Sequence, residues 1–245
     1  MKKVIYSLIA IISVLLVTGC GTVSHIIKPD LNTNFAIISI YGNNGLAWYE
    51  MGKNGSEPSA SQGLLSKVLT NSFDSDNAEY LTSVDRLDIA EDLLRHAFEE
   101  NLGLTVADKE AVISSQRYKR LSEGIFSGLN TAQTATGYKV LEKAGAESLR
   151  KIYKDTETNC AVILKFEFFK KLKSGTKQSG EICPYVTMRA IIYNETGKEV
   201  HYKTYKAEGE RFKIRRNQDN EDEFLAAYPI VIENLINKLC VDLIK

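Results

Sequence analysis

The chain has 245 residues, 44% of them hydrophobic and 25% charged. These are ordinary proportions for a globular protein, and they exclude collagen-like, coiled-coil and disordered classes. The 31 basic and 31 acidic side chains balance. That argues against a nucleic-acid binder, which needs surplus Lys and Arg to displace counterions from phosphates.

Met1-Lys2-Lys3 is a short positive start, followed by an uncharged apolar run from Val4 to Leu16. As a helix that run spans roughly 20 Å at about 1.5 Å per residue. This is short for a bilayer core of about 30 Å and right for a secretory leader. No later stretch reads as a second span. Val17-Thr18-Gly19-Cys20 follows at once and resembles a bacterial lipobox. The resemblance implies cleavage after Gly19, with diacylglycerol on the Cys20 sulfur and an acyl chain on its new amino group. Two or more chains anchor a protein stably, whereas one does not. The expected location is therefore extracytoplasmic, with the membrane reached through Cys20. Gly21 stands where an Asp would retain a Gram-negative lipoprotein at the inner membrane, so the outer membrane is the expected site in such an organism. Processing removes Lys2 and Lys3, leaving the mature chain slightly acidic and without a polybasic patch.

Residues 1–19 are thus read as signal peptide, 20–34 as a lipidated tether broken by Pro29, and 35–245 as one domain. Asn34 to Tyr41 is almost continuously apolar, as a strand buried on both faces requires. Gly42-Asn43-Asn44-Gly45 should stop it. Leu46 to Ser83 holds Gly, Asn and Ser clusters and the single Trp, Trp48. A loop of that length is usually functional.

Leu87 to Leu102 is an amphipathic helix, with Ala90, Leu93, Leu94, Ala97 and Phe98 sharing a face and Gly103 as its stop. Leu104 to Ala107 reads as a short strand, and Asp108 caps a helix running to about Leu121. Ser122 to Gly137 reads as loop, Tyr138 to Leu141 as a short strand and Lys143 to Thr156 as a helix. Cys160 to Phe169 is a strand, Lys170 to Glu181 a polar turn, and Val186 to Tyr193 the next strand. Asn194-Glu195-Thr196-Gly197 is a hairpin turn. Glu199 to Ala207 alternates like a half-exposed antiparallel strand. Arg211 to Glu223 reads as a charged connection. Phe224 to Ile244 closes the chain as a helix that starts or kinks at Pro229. The order β-α-β-α-β-β-β-α predicts an α/β (α+β) fold with a single mixed sheet and helices packed on it.

The opening strand Phe35 to Tyr41, the helix Ala90 to Asn101 with its Gly103 turn, the strand Cys160 to Phe169 followed by Lys170 to Gly175, and the hairpin Val186 to Val200 carry a resemblance. Together they resemble the curli-secretion lipoprotein family (CsgG-type) and the related amino-terminal domain of the Tol-system propeller protein. The departure is in the inserts. Ser122 to Gly137 and Lys170 to Ile182 are short and polar, whereas a membrane hairpin needs strands of about nine to eleven alternating residues. The resemblance therefore implies a peripheral envelope module that binds a partner protein and lacks a pore of its own.

Searching for chemistry leaves little. His25, His96 and His201 share no metal-ligand spacing with each other or with Cys, and His96 reads as a partly buried helix residue. Beyond Cys20, the odd count of Cys160, Cys183 and Cys240 cannot all pair internally. Cys183 should sit opposite about Phe169, too far from Cys160 to bridge, and a Cys160–Cys240 pair stays open. The tetrads Ser148-x-x-Lys151 and Ser174-x-x-Lys177 lack the partner motifs of penicillin-recognising enzymes, and Gly124 to Gly128 has the wrong spacing for a nucleophile elbow. The acidic run Asp219 to Glu223 suits a helix start. Arg211, Lys213, Arg215 and Arg216 alternate with Phe212 and Ile214 as a charged edge or an anionic-partner patch. No cofactor, metal site or catalytic residue is nominated. The expected function is non-catalytic protein binding or assembly, with an envelope hydrolase as the alternative.

Overall fold

A computed structural model of the chain describes residues 33–43, 45–49, 84–123, 132–215 and 221–244. The leader, Gly19, Cys20, the tether as far as residue 32 and most of the 46–83 segment lie outside the described residues, while Asn34, the end of the tether as read, opens the first strand.

The principal elements follow the predicted order, and the protein is an α/β fold built on one mixed sheet. Strand β1 (Asn34–Asn43) is buried along nearly its whole length. It runs parallel to β3 (Thr105–Val106) on one side and to β5 (Cys160–Gly175) on the other. Strands β6 (Ser179–Tyr193) and β7 (Glu199–Glu208) extend the sheet antiparallel, in the order β3-β1-β5-β6-β7. Three short strands are added: β2 (Ala47–Trp48) on β5, β4 (Ala132–Thr134) on β1 and β8 (Phe212–Arg215) on β6.

Alternation along the strands assigns the two faces. On one face lie Phe35, Ile37, Phe166 and Phe168. They are covered by α1 (Val84–His96, widening to a π turn over Ala97–Asn101) and by the closing helix. Phe98 meets Phe35 edge-on at 4.9 Å, and Tyr228 meets Phe168 at 5.8 Å. On the other face Ser39 Oγ donates to the Lys139 carbonyl at 2.7 Å and accepts from the Leu141 amide at 3.2 Å. That layer is made by α2 (Lys109–Ser114), α3 (Gln116–Lys119), the Tyr138–Leu141 segment and α4 (Ala146–Thr156). Burial on both faces explains why β1, apart from the hydrogen-bonded Ser39, and the first half of β5 are almost wholly apolar.

Several expectations need correction. Lys170 to Glu181 is no loop: β5 and β6 continue as a ribbon to a tight turn, with Gly175 opposite Gly180. The Arg211–Glu223 connection contains β8, and β7 with β8 forms one interrupted edge along β6. The interruption falls at Pro184, whose carbonyl accepts from Gly209 N at 2.9 Å. A Cβ on Gly209 would meet Val231 Cγ2 at 2.9 Å, so close packing of the last helix dictates glycine there. Tyr138 to Leu141 is an irregular segment, and the short strand lies earlier, at β4. The helix after Asp108 breaks at Ser115, which caps α3 by accepting from Tyr118 N at 3.1 Å. The last helix is also two: α5 (Glu221–Ala226) and α6 (Tyr228–Leu243), with Pro229 in the first turn of α6, where its missing donor costs nothing.

The hairpin turn forms as read. Gly197 takes φ 75°, and its amide reaches the Asn194 carbonyl at 2.8 Å. By length and composition Asp222–Leu243 passes for a membrane span, which amends the expectation of none after the leader. Yet Tyr228, Val231, Leu235, Leu239 and Leu243 of this stretch are buried in the protein's own core, on the stripe read from the sequence.

Candidate functional site

The sheet ends at β7, which pairs with no further strand among the described residues. Its sequence alternates, so His201, Lys203, Tyr205 and Ala207 point to the face on which α6 lies. Between them the two elements enclose an open groove of about 550 Å³. Lys203, Tyr205 and Glu208 line one wall, and Asn234, Asn237 and Asp242 the other.

A polar chain crosses the end of this groove. Tyr205 donates its hydroxyl hydrogen to Asp242 Oδ2 at 2.9 Å. His201 Nε2 lies 2.9 Å from the same hydroxyl oxygen. A phenol has one hydrogen, so the imidazole must donate, which places a proton on Nε2. Lys203 pairs with the same Asp242 oxygen. Burial holds His201 below the ordinary histidine range, reinforced by Lys203 and opposed by Asp242. Burial and the bond to Asp242 push the Tyr205 phenol up. At the other end Lys171 and Lys173 grip Glu208 at 2.5 and 2.6 Å, holding its carboxyl below the usual range. Lys238 Nζ reaches back from α6 to the Lys206 carbonyl at 2.6 Å, tying helix to edge strand. The groove walls thus carry two lysines, Lys203 and Lys238, against two carboxylates, Glu208 and Asp242.

The other residues singled out in the sequence disperse. Cys20, Gly19, His25 and the Gly124–Gly128 segment are outside the described residues. His96 is exposed on the outer side of α1, not partly buried, because the apolar face passes through Ala97 and Phe98 instead. Cys160, Cys183 and Cys240 are buried thiols outside any disulfide, so the Cys160–Cys240 bridge is not made. Cys183 stands opposite Lys171, two residues further along than read. Burial raises its thiol and pushes that of Cys240 up to about 11, which leaves both as unreactive core groups.

In the first tetrad Ser148 Oγ accepts from Arg117 at 3.1 Å while Lys151 pairs with Glu147. In the second, Ser174 donates to Glu181 at 3.2 Å and Lys177 lies over the Trp48 ring. Arg211 pairs with Glu181 at 3.4 Å, and Lys213 is exposed on β8. The described part of the acidic run opens α5. No group of three His, Cys, Asp or Glu that could hold a metal occurs among the described residues.

Two features went unread. One is Asp242, in the last turn of α6, where the helix dipole disfavours an acid. That misplacement was a usable sign of a cation and donor elsewhere in the fold. The other is Glu91, buried on α1. Its Oε1 accepts from Arg95 Nε at 2.9 Å and from the Tyr138 hydroxyl at 2.8 Å, and its Oε2 pairs with Lys109 at 2.7 Å. A Glu on the flank of an apolar helix face, four residues before Arg95, was its only local sign.

A scan against protein-family models matched none of them, and a search among curated proteins found no relative.

Proposed function

We propose that this chain is a lipid-anchored protein of the cell envelope, held at the membrane (the outer membrane if the cell is Gram-negative) by acyl chains on Cys20 after cleavage behind Gly19, and that it works without catalysis by binding another protein on the extracytoplasmic, periplasm-facing side. The curli-secretion-like order of elements is consistent with that reading. The observation that carries the binding role is a convergence on one flank. The sheet's open edge at β7 adjoins the groove that Val241 lines, and α6 also exposes Ile230, with Ile244 exposed at its C-cap. Exposed apolar side chains gathered beside an open groove mark interaction surfaces.

The envelope-hydrolase alternative would gain from a Ser or Cys bonded to a histidine in a pocket. His201 is instead bonded to the Tyr205 hydroxyl, which is itself committed to Asp242.

The test is a photo-crosslinking side chain at Lys203, on the edge strand, lining the groove and 52% exposed, in intact cells. A discrete protein adduct supports the proposal, and failure to recover any protein overturns it. For the anchor, Cys20→Ala should release the protein from membranes. Continued flotation of that variant with lipid removes the lipid tether from the reading.

A further inference from the structure

The two outer edges of the sheet differ. The edge at β3 is two residues long, and Arg95 Nη1 donates to the Ala107 carbonyl just beyond it at 2.8 Å. The edge at β7 is ten residues long, and no strand covers it among the described residues. Two hydrogen bonds fix the direction of the β7 backbone. Gly209 gives its amide to the Pro184 carbonyl on β6 at 2.9 Å, so Gly209 faces the sheet, and with it Ala207, Tyr205 and Lys203. The Lys206 carbonyl instead accepts from Lys238 Nζ of α6 at 2.6 Å, so it faces away. The register of β7 on β6 is unbroken from His201 to Glu208. Alternation therefore turns the N–H and C=O of Tyr202 and Thr204 outward as well. Lys238 closes the Lys206 rung, while the rungs at Tyr202 and Thr204 meet no strand among the described residues.

We infer that β7 receives an acidic extended segment of another protein as an added strand, bonded through the outward rungs of Tyr202 and Thr204. This rests on the protein-binding reading above and names the partner's chemistry. The backbone specifies a strand. Its outward donor–acceptor pairs recur every second residue, roughly 7 Å apart, which is the repeat of another extended chain. An edge of this length without proline is a template for such pairing. Lysines are the usual guard on an open edge, and here they select the charge of what can pair.

Alternate side chains of an added strand point into the groove beside α6. There Lys203 and Lys238 stand against one carboxylate, Asp242, because the charge of Glu208 is already met by Lys171 and Lys173. Lys203 pairs with Asp242. Lys238 spends one N–H on the Lys206 carbonyl, which leaves the rest of its ammonium for an incoming anion. Asn234 and Asn237 add amide donors on the α6 wall. A groove with this surplus of cation and N–H donors takes a carboxylate side chain. A second copy fits less well. Between Val200 and Ala207 its β7 carries no acidic residue, so it would bring cations to cations.

The test uses the full chain in intact cells with a photo-crosslinking side chain at Tyr202, which leaves the backbone of the edge in place. A discrete protein adduct is expected, with Asp or Glu in the captured segment. Thr204→Pro removes an outward N–H, and an edge strand tolerates proline where that N–H faces solvent. It should leave the melting temperature close to the parent's while cutting the adduct about tenfold or more. Thr204→Ala keeps the backbone donor and should leave the adduct within about twofold. Tyr202→Pro, with the crosslinker moved to Lys203, repeats the test at the other rung. Unfolding of both proline variants shows that these N–H groups are not open and overturns the proposal. An adduct unmoved by proline in a folded protein overturns strand addition and leaves the protein-binding reading standing, as does an adduct at Lys203 with none at Tyr202. No adduct at either position overturns both. A covalent homodimer assigns the edge to a second copy, and a captured segment without acidic residues removes the charge match; either result overturns the inference.

Discussion

Two polar networks in this molecule use the same parts with different exposure. Around Glu91 a carboxylate takes a tyrosine hydroxyl and two cations, and its side chain is 5% exposed. Around Asp242 a carboxylate takes a tyrosine hydroxyl and one lysine, and it is 20% exposed beside an open groove. The first joins α1 to the start of α2 and to the Tyr138 segment, beneath the short edge strand β3, where Arg95 also donates to the Ala107 carbonyl at 2.8 Å. The second joins the last turn of α6 to the last strand. A buried carboxylate with every oxygen engaged locks elements together, because losing one partner strands charge in the interior. A half-open one positions side chains at a surface, where water can take over a lost partner. The contrast divides the fold into an interior latch and an outer margin suited to contact with other molecules.

The comparison is tested most severely by Glu91→Ala, which leaves Arg95 and Lys109 without their common anion. Destabilisation of about 3–5 kcal/mol is expected, the range for breaking one side of a buried ion pair. It is read by urea denaturation with unchanged slope. A loss below about 1 kcal/mol, the scale of an exposed pair, would show that the latch is not sealed. Tyr138→Phe should cost less, about 1–3 kcal/mol, because Arg95 and Lys109 still satisfy Glu91. Burial and the neighbouring Glu91 carboxylate push the Tyr138 phenol up, so the hydroxyl remains a donor at every pH the fold survives.

Acid separates the networks next. His201 titrates lower in the folded protein than in the unfolded chain, so the unfolded state binds more protons in the window between the two values. Stability therefore rises with pH across that window and falls as pH drops below about 6.5, the unfolded histidine value. The groups around His201 are Tyr205 and Lys203 on its own strand and Asp242 on α6. In His201→Gln the dependence of melting temperature on pH between about 5 and 7 should flatten. An unaltered profile in that variant assigns the acid response elsewhere.

Legibility followed the range of the forces involved. β1, the first half of β5 and the inner stripe of α6 were readable because their apolar runs are set by local burial. The distal ribbon was not. Lys170, Lys171 and Lys173 resemble a loop until Lys171 and Lys173 are seen to reach across β6 to Glu208 on β7. Cross-strand pairing supplies what alternation would have announced. β8 was hidden for the same reason, its partner Glu181 lying thirty residues back. His201 was noticed as a histidine on an alternating strand, but nothing nearby in sequence points to Asp242. The exposed Ile230 and Val241 of α6 escaped because Asn234 and Asn237 fall between them.

The finest test of the contrast is the pair Lys203–Asp242. Lys203 is 52% exposed, and exposed ion pairs contribute about 0–1 kcal/mol. Lys203→Ala should therefore move stability by less than about 1 kcal/mol. Asp242→Asn should cost more than Lys203→Ala, because it also weakens the acceptor for the Tyr205 hydroxyl. A double-mutant cycle of these two substitutions isolates their coupling. A small coupling beside a large Asp242→Asn effect means that the tyrosine, not the lysine, is what Asp242 holds. The lysine's ammonium is then available to a docked partner, as the side chain of an outer margin should be. A coupling as large as that between Glu91 and Lys109, measured by the same cycle, would erase the distinction between the two networks and make the groove wall a second latch.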